Sequence, residues 1–113
     1  MKAIIHSEHH PIDQALEMIV STFGNAECKT VNDDQSLYEE VKEGEADIFV
    51  MFGYSSRDEG LALAARRITE KPIMYIGMKR ECPNELKQNK IDYFYAFELS
   101  GFKCVKVIYF ILL

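Results

Sequence analysis

The fold is decided by the stretch Asp47-Ile48-Phe49-Val50-Met51-Phe52-Gly53-Tyr54-Ser55-Ser56-Arg57-Asp58-Glu59-Gly60-Leu61. Together with Ala46, its first part predicts a strand over 46–52, because the apolar run that follows Asp47 is typical of a parallel strand covered on both faces. Its second part leads through Gly60-Leu61 into a predicted helix. The apolar residues of that helix recur at helical spacing and leave Arg66 and Arg67 available to face water: Leu61, Ala64, Ala65 and Ile68.

Predicted strands and helices alternate along the rest of the chain. The other strands are predicted at 3–5, 26–31, 72–76 and 93–97. Helical spacing runs from Ile12 to Phe23, and a weak helix follows Pro83-Asn84. A further helix containing Leu37 and Val41 has capping side chains at 33–36 before it and Gly44 after it. Five strands that alternate with helices predict a parallel sheet with right-handed crossovers and helices on both faces.

Length and composition predict one soluble globular domain over residues 1–113. The apolar fraction is 48% and the charged fraction 27%, as in ordinary globular proteins. A net charge of −5 argues against direct nucleic-acid binding, which needs clustered Lys and Arg. The three cysteines are odd in number and lack CxxC spacing, which fits a reducing compartment. No signal-peptide pattern opens the sequence, so a cytoplasmic location is expected.

The segment 99–113 is predicted as an apolar C-terminal helix or strand. Its β-branched and aromatic residues favour a strand, whereas Phe102, Val105, Tyr109 and Leu112 form a helical stripe. The apolar run from Val105 has nine residues, too few to span a bilayer. Three roles stay open for it: packing in the core, covering by a partner subunit, or anchoring at an interface.

Three further neighbourhoods carry a family resemblance together with 47–61. These are the opening 4–16, the fourth strand Pro72-Ile-Met-Tyr-Ile-Gly77, and the approach to the fifth strand at 90–97. Together they resemble the receiver domain of two-component response regulators over about residues 2–98. The resemblance implies a three-layer flavodoxin-like α/β sandwich, with a five-stranded parallel sheet in the order 2-1-3-4-5.

The residues that carry phosphate chemistry in receivers are replaced in this chain. Glu8 matches the first acid of the family pattern, but His9 stands where a second acid holds magnesium. Phe52 stands at the phosphoacceptor position and cannot be phosphorylated. Gly77 and Phe97 stand where a hydroxyl residue and a lysine are usual. The resemblance therefore implies a degenerate pseudo-receiver: a non-enzymatic signalling module that works without Asp phosphorylation and without a cofactor.

Receivers commonly dimerise through the face built by their fourth helix, fifth strand and fifth helix. In this chain the candidate interface comprises Tyr93, Tyr95, Phe102, Val105, Tyr109 and Leu112. We therefore expect a homodimer or a partner protein. DNA binding is expected only through a separate output domain, and no membrane contact is predicted.

A small-ligand-binding domain is the alternative interpretation. Tyr54 and Ser55, which follow the third strand, are its candidate ligand loop. Histidines also crowd the end of the first strand at 6, 9 and 10, but adjacent residues on a turn rarely converge on one metal ion. We interpret them as solvated or locally hydrogen-bonded loop histidines, with a pH-sensitive contact as the other possibility, and predict neither a metal site nor a catalytic residue.

Overall fold

The computed structural model describes residues 2–7, 27–53, 56–77 and 81–96. In order, these ranges form β1 (Lys2–His6), β2 (Glu27–Val31), α1 (Asp34–Glu43), β3 (Ile48–Gly53), α2 (Ser56–Ile68), β4 (Ile73–Gly77), α3 (Asn84–Gln88) and β5 (Tyr93–Ala96). The strands make one parallel sheet in the order β2-β1-β3-β4-β5, which confirms the predicted fold class. The helix predicted at 12–23 and the segment 99–113 lie outside these ranges. None of the described helices is long and apolar enough to cross a membrane.

The central strands β1, β3 and β4 are buried on both faces of the sheet. Along β3, Phe49 and Met51 face the core that α1, α2 and α3 cover, while Val50 and Phe52 point to the opposite face. All four side chains are almost completely buried. This explains why the strand lacks the polar alternation of a half-exposed strand, as predicted from its sequence.

The helix α1 begins and ends where its capping residues predict. Asp33 precedes it in an extended conformation and accepts hydrogen bonds from the Ser36 amide at 2.8 Å and the Ser36 hydroxyl at 3.0 Å. Gly44 follows with φ of 70°, and its amide donates to the carbonyl of Glu40. That left-handed conformation is one that glycine adopts without a steric penalty, so the chain can turn sharply towards β3.

We expect the Asp33 cap to make the stability of the domain depend on acid pH. The hydrogen bonds from Ser36 lower the pKa of the Asp33 carboxyl. The folded pKa of Asp33 therefore lies below its unfolded value of about 3.9. The stabilisation of the domain by the ionised carboxylate is complete above pH ~3.9 and is lost as the pH falls through the folded pKa. Between neutral pH and pH ~2, the melting temperature should fall less for Asp33→Asn than for the wild type, because asparagine keeps a capping oxygen that does not titrate. The control is Glu43→Gln, at an exposed acid of the last turn, whose melting temperature should fall as much as that of the wild type. An equal fall for Asp33→Asn and the wild type would contradict the prediction.

The helix α2 differs from its prediction in its first residue and in some of the side chains that it buries. It begins at Ser56, so Gly60-Leu61 lies in its second turn instead of at its start. The predicted apolar stripe was wrong at Ile68, which is 45% exposed. The residues turned to the core are Asp58, Leu61, Ala62 and Ala65. Leu61 and Ala65 of the predicted stripe are thus confirmed, whereas hydrophobic periodicity could not indicate Asp58 because it is a carboxylate.

Arg66 was expected to face water, and that expectation was wrong. Its side chain is 14% exposed and forms an ion pair with Asp92, with 2.6 Å between Arg66 Nη1 and Asp92 Oδ2. The same carboxylate oxygen accepts a hydrogen bond from the amide of Ile73 at 2.8 Å. The guanidinium also donates to three backbone carbonyls, those of Thr69, Lys71 and Lys90. Arg66 thereby ties the loop after α2 to the loop before β5.

Candidate functional site at the carboxyl edge of the sheet

The carboxyl ends of the strands meet at one edge of this sheet because all the strands are parallel. Open α/β sheets usually bind ligands at this edge. The register pairs the ends of β3 and β4, Gly53 with Gly77, whereas His6 at the end of β1 pairs with Met51, two residues before the end of β3. The candidate site consists of the side chains around His6, Gly53 and Gly77.

Phe52 lies one residue before the end of β3 and is 2% exposed. Its register partner on β4 is Ile76, and the next pair along the strands is Gly53 with Gly77. The structure thus places Phe52 and Gly77 on neighbouring strands, one step apart. A buried phenyl ring next to a residue without a side chain offers neither a carboxylate nor a hydroxyl to a phosphoryl group.

The paired glycines leave bare backbone on the α2 face of the sheet, and Tyr75 covers it. A Cβ atom on Gly53 would overlap the Tyr75 hydroxyl and would lie 2.7 Å from Tyr75 Cζ and 2.6 Å from Asp58 Cβ. A Cβ atom on Gly77 would lie 3.0 Å from Tyr75 Cε1 and 3.2 Å from Phe94 Cε2. The close approach of the tyrosine therefore requires a glycine at position 53, whereas a Cβ atom at position 77 would need only a small shift of the Tyr75 and Phe94 rings.

Tyr75 is held between a second aromatic ring and the acidic start of α2. Its ring stacks on that of Phe94, with 6.1 Å between the centroids and 13° between the planes. Burial raises the pKa of the Tyr75 hydroxyl, and the negative charges of Asp58 and Glu59 raise it further. The phenol consequently stays protonated at every physiological pH and keeps a proton to donate.

A charged cluster lies on the other side of the same edge. His6 ends β1 with 1% exposure, so it is a buried strand residue and the prediction of a solvated loop position was wrong for it. Its Nε2 is 3.9 Å from Asp34 Oδ1, while Asp34 Oδ2 accepts a hydrogen bond from Arg57 Nη2 at 2.8 Å. One carboxylate therefore lies between a buried imidazole and a guanidinium, and it links β1 to the starts of α1 and α2.

Several of the predicted site residues lie outside the described ranges. These are Glu8, His9, Tyr54, Ser55, Phe97, Phe102, Val105, Tyr109 and Leu112. Of the predicted interface, Tyr93 is half-buried on β5, and Tyr95 is described only through its backbone. Within the part of the chain that the structure covers, no three His, Cys, Asp or Glu side chains are grouped as metal ligands would be.

The sequence interpretation missed Tyr75, Asp58 and the link from His6 to Asp34. A tyrosine two residues before a glycine in a predicted buried strand is the one signal that could have indicated the first. Both residues then share a face of the sheet, and the ring can lean along the strand over the glycine. The other two depend on contacts between elements far apart in sequence.

Comparisons with solved structures agree with the topology. A two-component response regulator from Clostridium difficile is 16% identical, with a TM-score of 0.82, over 99% of this chain and 95% of that one. The chemotaxis protein CheY4 of Vibrio cholerae is 13% identical, with a TM-score of 0.74, over 97% of each chain. A DNA-binding response regulator of the LuxR family from Staphylococcus aureus is 14% identical, with a TM-score of 0.76, over 97% of each chain.

Sequence comparison adds nothing to this likeness. No protein-family model and no curated protein matches the chain. Identities of 10–16% among the structural neighbours establish a common fold and leave the function to be argued from the site. The strand order, the coverage of nearly the whole chain and the TM-scores together establish that this chain has the receiver fold of the two-component response regulators.

Proposed function

We propose that this chain is a non-enzymatic signalling module with a receiver fold whose state is not set by Asp phosphorylation. Its output would be self-association or the docking of a partner protein. The observation that carries the proposal is Phe52, buried to 2% exposure at the position where the family resemblance places the phosphoacceptor. Phosphoryl transfer to such a position needs an accessible carboxylate with magnesium close by.

The surroundings of Phe52 support the same proposal. Gly77, at the end of the neighbouring strand, has no hydroxyl to follow a phosphoryl group. The bare backbone at Gly53 and Gly77 is filled by the ring of Tyr75. On the opposite face of the sheet, the buried ring of Phe52 is packed into the interior, and a close-packed interior leaves no room for a phosphate and a hydrated cation.

The surface proposed for association includes β5. Tyr93 is half-buried there, but it is not among the residues that pack against the core of α1, α2 and α3. Tyrosine is a favoured residue at protein interfaces because its ring is apolar and its hydroxyl is polar. The predicted members Tyr95, Phe102, Val105, Tyr109 and Leu112 would extend this surface.

We expect light scattering to give the mass of a dimer that dissociates on dilution. Tyr93→Glu should raise the dissociation constant about tenfold or more, because it places a charge in the proposed interface. Ile68→Glu is the matched control, since Ile68 is an exposed apolar residue of α2, away from β5. Its dissociation constant should match that of the wild type. Melting curves of both variants would establish that they remain folded.

Three outcomes would contradict parts of this proposal. A monomer at all concentrations would rule out self-association and leave partner docking. Equal weakening by Tyr93→Glu and Ile68→Glu would place the interface elsewhere. Uptake of a phosphoryl group from acetyl phosphate, detected by intact mass, would contradict independence from phosphorylation.

A further inference from the structure

A buried carboxylate oxygen lies just out of hydrogen-bonding reach of a histidine at the carboxyl edge of the sheet. The Oδ1 atom of Asp34 is buried and accepts no hydrogen bond from the residues that the structure describes. The Nε2 atom of His6 lies 3.9 Å from it, about 1 Å beyond the length of a hydrogen bond. A buried acceptor without a donor costs stability, so a donor that came within reach would be held. His6 can become that donor, because both nitrogens of an imidazolium carry a proton.

Two helices place charged groups around His6. Asp34 is the first residue of α1, and Arg57 of α2 donates to its second oxygen, Oδ2, at 2.8 Å. The hydrogen bonds from Ser36 lower the pKa of Asp33, the N-cap of α1, and a positive charge on His6 lowers it further. His6 is therefore within electrostatic reach of two carboxylates, and one of these is shared with a guanidinium.

The strands beside β1 place apolar side chains next to His6. Its register partners are Val31 of β2 and Met51 of β3, and both are buried. Further along the same face, Lys29 of β2 is paired with Glu40 of α1. Burial favours the neutral imidazole, whereas the nearby carboxylates favour the imidazolium. Because histidine in ordinary surroundings changes charge between about pH 5 and 8, these opposing effects leave the charge of His6 open to a change of pH.

We propose that His6 is a pH-dependent connection between the sheet and the two helices. On protonation, its Nε2 donates to Asp34 Oδ1, and the start of α1 moves about 1 Å towards β1 to close the contact. Arg57 holds the other oxygen of the same carboxylate, so the first turn of α2 follows. The side chain of Arg57 is 59% exposed, and the change therefore reaches the surface of the domain. The inference goes beyond the proposed function, since it needs neither self-association nor independence from phosphorylation.

The first test is an NMR titration of the unaltered protein between roughly pH 4.5 and pH 9. The imidazole resonance that persists in the double variant His9→Gln with His10→Gln belongs to His6, the third histidine of the chain. Its midpoint should fall within this range, and the backbone amides of Asp34 and Arg57 should shift with the same midpoint. A His6 resonance that does not titrate in the folded protein would overturn the proposal. So would unchanged amides, because the histidine would then change charge without moving the helices.

The second test alters the charges on the two sides of the shared carboxylate. Asp34→Asn removes the negative charge and should lower the midpoint of His6 by about one pH unit or more, which is a tenfold loss of proton affinity. Arg57→Gln removes the cation that shares the carboxylate and should raise the midpoint. Shifts of opposite sign are specific to this arrangement, since a purely structural role of either residue does not predict them.

The matched control for the loss of one negative charge is Glu43→Gln. This exposed acid lies at the opposite end of α1, about 13 Å along the helix axis from Asp34 and beyond the Debye length of ~8 Å. The midpoint of His6 in this variant should equal that of the wild type. Equal shifts in Asp34→Asn and Glu43→Gln would show that His6 responds to net charge alone, and the proposal would fail. An unchanged midpoint in Arg57→Gln would exclude the connection to α2.

Discussion

Replacing Phe52 by aspartate is expected to unfold most of the molecules and not to create a phosphoacceptor. Removing a buried phenylalanine side chain costs about 3–5 kcal/mol. Placing an unpaired carboxylate in the same position, where the ring is 2% exposed, adds several kcal/mol of lost hydration. The sum is comparable with the roughly 5–15 kcal/mol by which domains are stable. Gly77 supplies no side chain that could compensate.

Urea denaturation followed by circular dichroism measures this effect directly. Phe52→Leu is the matched control, since it keeps an apolar side chain and should cost only about 1–2 kcal/mol. Acetyl phosphate with magnesium, followed by intact mass, then tests for acceptance of a phosphoryl group. A folded Phe52→Asp variant that gains a phosphoryl group would contradict both the packing argument and the proposed function.

Arg66→Ala is expected to cost about 3 kcal/mol, the lower end of the range for breaking a buried ion pair. The lower end applies because the carboxyl group of Asp92 is 35% exposed and water can compensate part of the loss. The substitution also leaves the carbonyls of Thr69, Lys71 and Lys90 without the donor that now reaches them. Two loops at the amino edge of the sheet would lose their connection.

The chain supplies a matched control for this effect in the next residue. Arg67 is exposed, so Arg67→Ala should change the free energy of unfolding by no more than about 0.5 kcal/mol. A double-mutant cycle of Arg66→Ala with Asp92→Ala should give a coupling energy of ~1 kcal/mol or more, since both groups contact each other and share the loop. Equal losses for Arg66→Ala and Arg67→Ala would show that the ion pair contributes no specific stability.

Most of the fold could be predicted because its signals are local. The apolar run 46–52 indicated a buried parallel strand, and Asp33 and Gly44 indicated the two ends of α1. The strand order followed from the resemblance to receivers and is confirmed by the register. The position of the helix after β3 could not be read in this way, since the burial of Asp58 and the exposure of Ile68 reverse the usual preference of each residue.

In the candidate site, too, properties of single residues could be predicted and contacts between elements could not. That Phe52 and Gly77 carry neither a carboxylate nor a hydroxyl follows from their residue types alone, whatever surrounds them, and the proposed independence from phosphorylation starts from these two positions. The packing of Tyr75 over the paired glycines could not be predicted from the sequence. It requires that Tyr75 of β4 lean across to Gly53 of β3, that Phe94 of β5 stack on it, and that Asp58 of α2 lie beside it. Each of these contacts joins residues of different elements.

The sequence by itself determined the succession of strands and helices, the burial of the central strands, and that a phenylalanine stands at the position where the resemblance to receivers places the phosphoacceptor. These properties depend on residue type and on spacing within one element. Only the tertiary structure decided that Asp58 belongs to the buried face of α2 and Ile68 does not, that Arg66 ties two loops together, and that Tyr75 covers the paired glycines. The physical reason is that a contact between distant elements depends on strand register and helix rotation, which packing selects for the whole domain at once.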